Sequence, residues 1–313
     1  MKFSSFKILF LISVLIIPIT ADAQLFRGSN YWRQYRHEIS FGGGASNSLT
    51  ELGGRDRAGS DFIYDLEPTL TKHSFSLAYR YFIKKNIAIR TSIFYAQVSG
   101  DDKLTNDIYR KDRNLNFKSP IVELSLVGEY HLIREVSGSR YKIKGTRSKK
   151  SYSVSMYLFA GLGAFYFDPR TMSGTRLKPL HTEGQGLADG PKNYSSVNLA
   201  VPGGLGFRYS INTKWRLSLQ GGYRFTTTDY LDDVSGTYYN ENDLISAYGQ
   251  ASAEAANPSI NPDTFSYPGA QRGDPSDRDG YMFAQLQLNY KLVKKNKYGR
   301  GKKIKRRRSM PSF

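Results

Sequence analysis

Strict alternation of apolar and polar residues marks the C-terminal part of the chain as a β-strand. In residues 281–292, the apolar side chains from Met282 to Leu292 point to one face, and the polar side chains from Gln285 to Lys291 point to the other. Successive side chains of a strand leave it on opposite faces. One apolar and one polar face suit a wall between lipid and a polar lumen, so the pattern predicts a strand of a transmembrane β-barrel.

The same alternation recurs along the chain and predicts eight strands, at about 35–44, 73–83, 87–97, 121–132, 151–167, 197–209, 214–225 and 281–292. A soluble β-sandwich also alternates. The length of these segments, and the tyrosine and tryptophan residues near their ends, favour a membrane barrel. The predicted fold class is therefore all-β: an eight-stranded antiparallel transmembrane barrel with long outer loops.

The connections between the predicted strands alternate in length. Segments 84–86 and 210–213 are tight turns, whereas strands 1–2, 3–4, 5–6 and 7–8 are joined by long polar loops. Bacterial outer-membrane barrels have short periplasmic turns and long outer loops. An even number of strands places both termini on the periplasmic side. Segment 134–150 is an exception, because it is long and yet periplasmic by parity.

The N-terminus has the features of a cleaved signal peptide. Lys2 and Lys7 precede an apolar run over 8–19, and the small residues of 21–23 offer a cleavage site before Gln24. The alternative, a membrane anchor, is disfavoured because the run is short for a spanning helix. We expect export to the outer membrane, and we divide the chain into a signal peptide (1–23), a barrel (24–292) and a basic periplasmic tail (293–313).

The composition agrees with such a barrel. The 313 residues include no cysteine, so disulfides and thiol chemistry are excluded. Mean hydropathy is −0.49, which argues against a helical membrane protein. A barrel needs only every second strand residue to be apolar.

The formal net charge of +18 is concentrated in two segments on the predicted periplasmic side, 134–150 and 293–313. Nucleic acid is an unsuitable partner for an exported barrel. The tail could be a solvated end, could contact anionic lipid, or could dock an acidic periplasmic protein. Two basic segments on one side favour an interaction, for which the predicted contact residues are Arg134, Arg140, Lys142, Lys144, Arg147, Lys149, Lys150, Lys302, Lys303, Lys305, Arg306, Arg307 and Arg308.

Charged residues also occur on the polar faces of the strands. An eight-stranded barrel is only wide enough for side chains to fill it, and a lone buried charge is costly. We therefore expect a paired network that acts as a plug, and expect Arg90→Ala to leave a carboxylate unpaired. The predicted network consists of Glu38, Arg80, Arg90, Glu123, Glu129, Arg208, Arg216 and Arg224.

The sequence contains no recognisable catalytic constellation. The four histidines are not spaced like a metal site, and we predict no enzyme activity, no metal and no cofactor. The segment 229–279 carries ten acidic residues against two arginines. Asp229, Asp232 and Asp233 could bind calcium, but a hydrated acidic loop is the commoner arrangement.

Three segments resemble the PorG-like outer-membrane proteins of Bacteroidetes. These are YRHEISFGGG at 35–44 followed by NSLTELGG at 47–54, NLNFKSPIVELSLVGEYHL at 114–132, and TDYLDDVSGTY at 228–238. The resemblance implies a component of the type IX protein secretion and gliding machinery, associated with a periplasmic ring of a lipoprotein and its partner. We accordingly expect a structural anchor or scaffold in outer-membrane lipid, with no small-molecule substrate. The alternative is a small-solute channel or a surface-binding barrel.

Overall fold

A computed structural model of the chain describes residues 33, 35–52, 68–105, 107–135, 153–259, 261 and 265–292. The predicted signal peptide, most of segment 134–150 and the tail after residue 292 lie outside these residues. Within the described part of the chain, none of the helices is long and apolar enough to cross a membrane.

Eight antiparallel strands close into one barrel in sequence order, which confirms the predicted fold class. Hydrogen bonding between the first and last strands, with Phe41 opposite Leu288, completes the closure. The strands are β1 (His37–Leu49), β2 (Lys72–Phe82), β3 (Ile87–Asp101), β4 (Asn116–Ile133), β5 (Val154–Phe167), β6 (Val197–Ser210), β7 (Trp215–Thr226) and β8 (Gly280–Leu292).

The two faces of the barrel wall differ as the alternation predicts. Outward side chains are apolar and exposed: Phe41 is 62% exposed and Leu162 is 68% exposed. Inward side chains of the same strands are polar and buried, and Gln285 and Asn289 of β8 are 1% and 0% exposed. An apolar exterior can lie in lipid because every backbone group is bonded within the closed sheet.

Several strands are longer than predicted at the end with the long connections. β1 continues to Leu49, β3 continues to Asp101, and β4 begins at Asn116. Both faces are buried there: Asn47 and Ser48 are 3% and 0% exposed. Period-two alternation disappears where loops cover both faces of the wall, so the sequence pattern misses these extensions.

The long connections form a folded cap at that end of the barrel. It contains the short helices α1 (Ile108–Arg113), α2 (Glu241–Tyr248) and α3 (Gln250–Ala256), and 3-10 turns at Pro68–Leu70, Asp102–Leu104 and Lys178–Leu180. Leu231 and Val234 of the cap pack into the same apolar cluster as Phe165 and Tyr281 of the barrel wall. The cap is therefore continuous with the upper barrel core.

Candidate functional site

The lower lumen, which is the half nearer the tight turns 83–86 and 211–214, is filled by a buried ion-pair network. Arg80, which is 0% exposed, contacts Glu38 on the neighbouring strand and Glu129 on β4, with 2.6 Å between its Nε and Glu129 Oε2. Arg208 from β6 also contacts Glu38. Arg90 lies 3.0 Å from Glu129 and donates to Gln220. Each of the two carboxylates thus contacts two arginines, and these arginines come from β2, β3 and β6.

A second ion pair lies in the upper lumen. Arg224 Nε donates to Glu123 Oε2 at 2.9 Å, and Tyr281 Oη donates to the same oxygen at 2.6 Å. The guanidinium carbon of Arg224 lies 3.8 Å from the ring centre of Phe283 and 4.4 Å from that of Phe94. Stacking on aromatic faces suits the weakly hydrated guanidinium. The upper lumen is therefore an aromatic layer around one charge pair.

Two members of the network, Glu135 and Lys291, were not predicted from the sequence and lie at the end of the barrel where β4 and β8 finish. Glu135 accepts from Arg216 Nη2 at 2.7 Å and from Lys291 Nζ at 2.5 Å. Burial opposes the charge of Glu135, but Lys291 and Arg216 outweigh it and hold the pKa of Glu135 well below its usual range. The position of Glu135 just beyond β4 is the sequence signal for this role.

Inward aromatic residues were also missed. Tyr157, Phe159 and Phe165 of β5 are 0%, 4% and 1% exposed and point into the barrel. β5 carries apolar residues on both faces along most of its length, so its inward aromatic residues do not stand out as a polar lumen face does. With these rings in place, a cavity among Arg90, Gln220 and Gln285 measures about 10 Å³, which holds one water molecule at most.

The acidic loop is exposed at Glu241, Asp243, Glu254, Asp274 and Asp277, as expected, but Asp232 and Asp233 depart from that expectation. Asp232 and Asp233 are each 1% exposed. Asp233 accepts from Thr182 at 2.6 Å and from Tyr194 at 2.5 Å, whereas Asp232 accepts from the backbone amides of Leu52 and Val234. The two aspartates therefore join the acidic loop to other cap segments. The fold does not gather Asp229, Asp232 and Asp233 into one site.

A buried ion pair inside the cap joins two of its segments. Arg272 Nη1 lies 2.9 Å from Glu183 Oε1 and donates to the carbonyl oxygen of Asp233 at 2.7 Å. Glu183 also accepts from the backbone amides of Ser235 and Gly236. The cap consequently has internal ion pairs of its own, as the lumen does.

Of the predicted partner-contact residues, only Arg134 is described, and it is exposed at the end of β4. That end also carries the tight turns 83–86 and 211–214 and both termini of the barrel. The predicted contacts Arg140, Lys142, Lys144, Arg147, Lys149, Lys150 and the six tail residues from Lys302 to Arg308 lie outside the described residues.

A closed antiparallel barrel that is apolar outside and charged inside has the architecture of membrane-spanning β-barrel proteins. The profile of a family described as a domain of unknown function, DUF6089, matches residues 36–253. The chain belongs to that family. Among curated proteins, none matches the sequence significantly.

Solved structures with a similar fold include small outer-membrane proteins. The attachment invasion locus protein Ail of Yersinia pestis is 10% identical, with 82% of this chain and 97% of that chain covered and a TM-score of 0.36. Neisserial surface protein A is 9% identical, with 82% and 96% covered and a TM-score of 0.36. OprG from Pseudomonas aeruginosa is 10% identical, with 83% and 98% covered and a TM-score of 0.34. Likeness at this level concerns the barrel fold alone.

Proposed function

We propose that this protein is a non-enzymatic, non-conducting outer-membrane barrel that acts as an anchor or scaffold of the type IX secretion machinery. The observation that carries the proposal is the filled lumen. Arg80, Glu129 and Arg224 cross it in buried ion pairs, and the aromatic layer surrounds Arg224. An ion would have to displace paired charges to pass, which is costly in a buried site.

A barrel without a conducting lumen performs its function through its outer surfaces. The basic segment 134–150 follows β4 in the chain and the basic segment 293–313 follows β8, and both strands finish at the same end of the barrel. That end is periplasmic in an outer-membrane barrel. A concentration of positive charge suits an acidic protein partner by steering and pairing. The resemblance to PorG-like proteins suggests that this partner is a periplasmic ring made of a lipoprotein and its partner protein.

Affinity purification from native outer membranes tests this proposal. We expect ring proteins to co-purify with the tagged full chain, and to be lost when residues 302–308 carry glutamine in place of every lysine and arginine. The control variant carries glutamine in place of Lys103 and Lys111, which are exposed at the opposite end of the barrel. This control should still co-purify with the ring proteins. Purification of the barrel alone from wild-type membranes would contradict the scaffold role.

A surface-binding barrel is the second candidate, and one feature of the cap favours it. A groove of about 570 Å³ opens between α1 and residues 265–274. Tyr109 and Phe265 meet edge to face in its wall, with ring centres 5.2 Å apart, and Tyr267 is 56% exposed. A variant with Tyr109 and Tyr267 changed to serine should lose surface binding under this second function but should leave ring co-purification intact under the first.

A further inference from the structure

Three carboxylates from distant parts of the sequence meet in the cap above β8. Glu51 follows β1, Asp229 follows β7, and Asp279 immediately precedes β8, and one oxygen of each lies within 4.8 Å of the others. β1 and β7 are the two strands that pair with β8. Closure of the barrel therefore brings these carboxylates together.

Backbone contacts hold this carboxylate cluster in position. The amide of Leu231 donates to Asp279 Oδ2 at 2.7 Å, and the amide of Asp274 donates to Glu51 Oε1 at 3.2 Å. The carbonyl oxygen of Asp279 accepts from Thr226 Oγ1 at 2.7 Å. The cluster is thus built on bonded backbone at the rim of the barrel.

The carboxylates of the cluster make no ion pair among the residues that the structure describes. No side-chain nitrogen of lysine, arginine or histidine in that set lies within 4.0 Å of a carboxylate oxygen of Glu51, Asp229 or Asp279. Arg110 and Arg113 donate to the backbone carbonyl oxygen of Glu51 instead. The arginine of the adjacent helix, Arg113, is bound to Asp102 at 2.7 Å. The fully buried glutamates in the described part of the chain, by contrast, each contact an arginine: Glu38, Glu123, Glu129 and Glu183.

Several oxygens of the cluster also have no hydrogen-bond donor. Both carboxylate oxygens of Asp229 and Oε2 of Glu51 are buried from solvent and unpartnered. Asp279 is 3% exposed, and only its Oδ2 accepts a bond in the described structure. Buried carboxylate oxygens require compensation by hydrogen bonds or positive charge. Among the described residues, both oxygens of Asp229 and Oε2 of Glu51 have neither.

We propose that Glu51, Asp229 and Asp279 form a calcium site that ties three segments of the cap together at the barrel rim. All the ligand atoms are oxygens, which hard divalent cations prefer. Oxygens on opposite sides of a calcium ion lie roughly 4.6–5.2 Å apart, because each Ca–O distance is about 2.3–2.6 Å. The three carboxylate oxygens, all within 4.8 Å of one another, are close enough to share one ion. Three protein carboxylates suit calcium better than magnesium, which usually retains several waters and binds one or two carboxylates.

Calorimetric titration of the refolded full chain in detergent, first stripped with a chelator, provides the direct test. We expect saturable binding of one Ca²⁺ per chain and a rise in the unfolding temperature when Ca²⁺ is added. Asp229→Asn should weaken binding at least tenfold. Asp243→Asn, an exposed aspartate of the same connection, is the control and should bind as the wild type does.

A crossover in stability distinguishes loss of the site from misfolding. Without calcium, Asp229→Asn removes one of several repelling buried charges, so its unfolding temperature at pH 8 should be higher than that of the wild type. With calcium, the order should reverse. Absence of calcium binding by the wild-type chain, unchanged binding by Asp229→Asn, or equal stabilisation by Mg²⁺ would each overturn the assignment.

Discussion

The lumen and the carboxylate cluster at the barrel rim both gather acidic residues, but the two regions neutralise them differently. Inside the barrel, Glu38 and Glu129 each contact two arginines. At the barrel rim, the carboxylates of Glu51, Asp229 and Asp279 lie together, and no described basic side chain forms an ion pair with them. The lumen therefore contains its own counter-charges, whereas the cap cluster requires a partner from solution. A barrel built in this way has a lumen that is stable without ligands and an outer end that responds to ions.

The largest expected effect comes from removing the arginine at the centre of the lumen network. Arg80→Met removes contacts to both Glu38 and Glu129, and we expect a loss of about 3–5 kcal/mol in the free energy of unfolding. Denaturant titration in detergent, followed by tryptophan fluorescence, measures the change. Arg134→Met, at an exposed position, should change stability by less than about 0.5 kcal/mol. Equal stability of the two variants would show that the network does not hold the barrel.

Neutralising one acid in each region sharpens the comparison. Glu129→Gln leaves Arg90 without a carboxylate partner and should cost about 2–3 kcal/mol, with or without calcium. Asp229→Asn in chelator should instead stabilise the chain by about 1 kcal/mol or less, because solvent screens part of the repulsion. The same denaturant titration in EDTA compares the two variants. A loss of stability in both would remove the distinction between lumen and cap.

The geometry revises the expectation for Arg90→Ala. The sequence suggested that this change would leave a carboxylate unpaired, but Glu129 retains two bonds from Arg80. We therefore expect a smaller loss of about 1–3 kcal/mol, from one charged contact and the bond to Gln220. A double-mutant cycle with Glu129→Gln measures the coupling energy between Arg90 and Glu129. If Arg90→Ala lowered the free energy of unfolding as much as Arg80→Met does, the pairing of Glu129 with Arg80 would be contradicted.

The smallest effect is expected at the lower rim, where Glu135 is partly exposed. The folded pKa of Glu135 is depressed, so its contribution to stability is present above its unfolded pKa of about 4.3 and is lost as the pH falls through the folded value. Glu135→Gln should lower the free energy of unfolding by about 1 kcal/mol at pH 7. The difference in this free energy between the variant and the wild type should be smaller at pH 3. A constant difference between pH 7 and pH 3 would rule out the ion pair as its source.

Much of the barrel follows from the sequence because lipid on one side and a packed lumen on the other impose a period of two. Alternation located all eight strands, and it identified Glu38, Arg80 and Glu129 as inward residues. It could not identify their partners, since the contact of Arg80 with Glu129 depends on strand tilt and register across residues 49 positions apart.

The cap and part of the lumen were less predictable. Polar loops without periodicity concealed the burial of Asp232 and Asp233, and the apolar faces of β5 concealed the inward ring of Tyr157. The carboxylate cluster was hidden for another reason: Glu51 and Asp279 are more than 200 positions apart and meet only because β1 pairs with β8. Local sequence patterns predict elements, whereas contacts made by closure require the complete topology.

The central claim is that the lumen is plugged by its own side chains. The most direct test of this claim is a measurement of conductance in planar lipid bilayers. The full chain, reconstituted and shown to be folded by its heat-dependent mobility on a gel, should add no steady single-channel steps to the bilayer across a range of voltages. Discrete, reproducible conductance steps from the wild-type chain would contradict a filled lumen and would favour a channel over a scaffold.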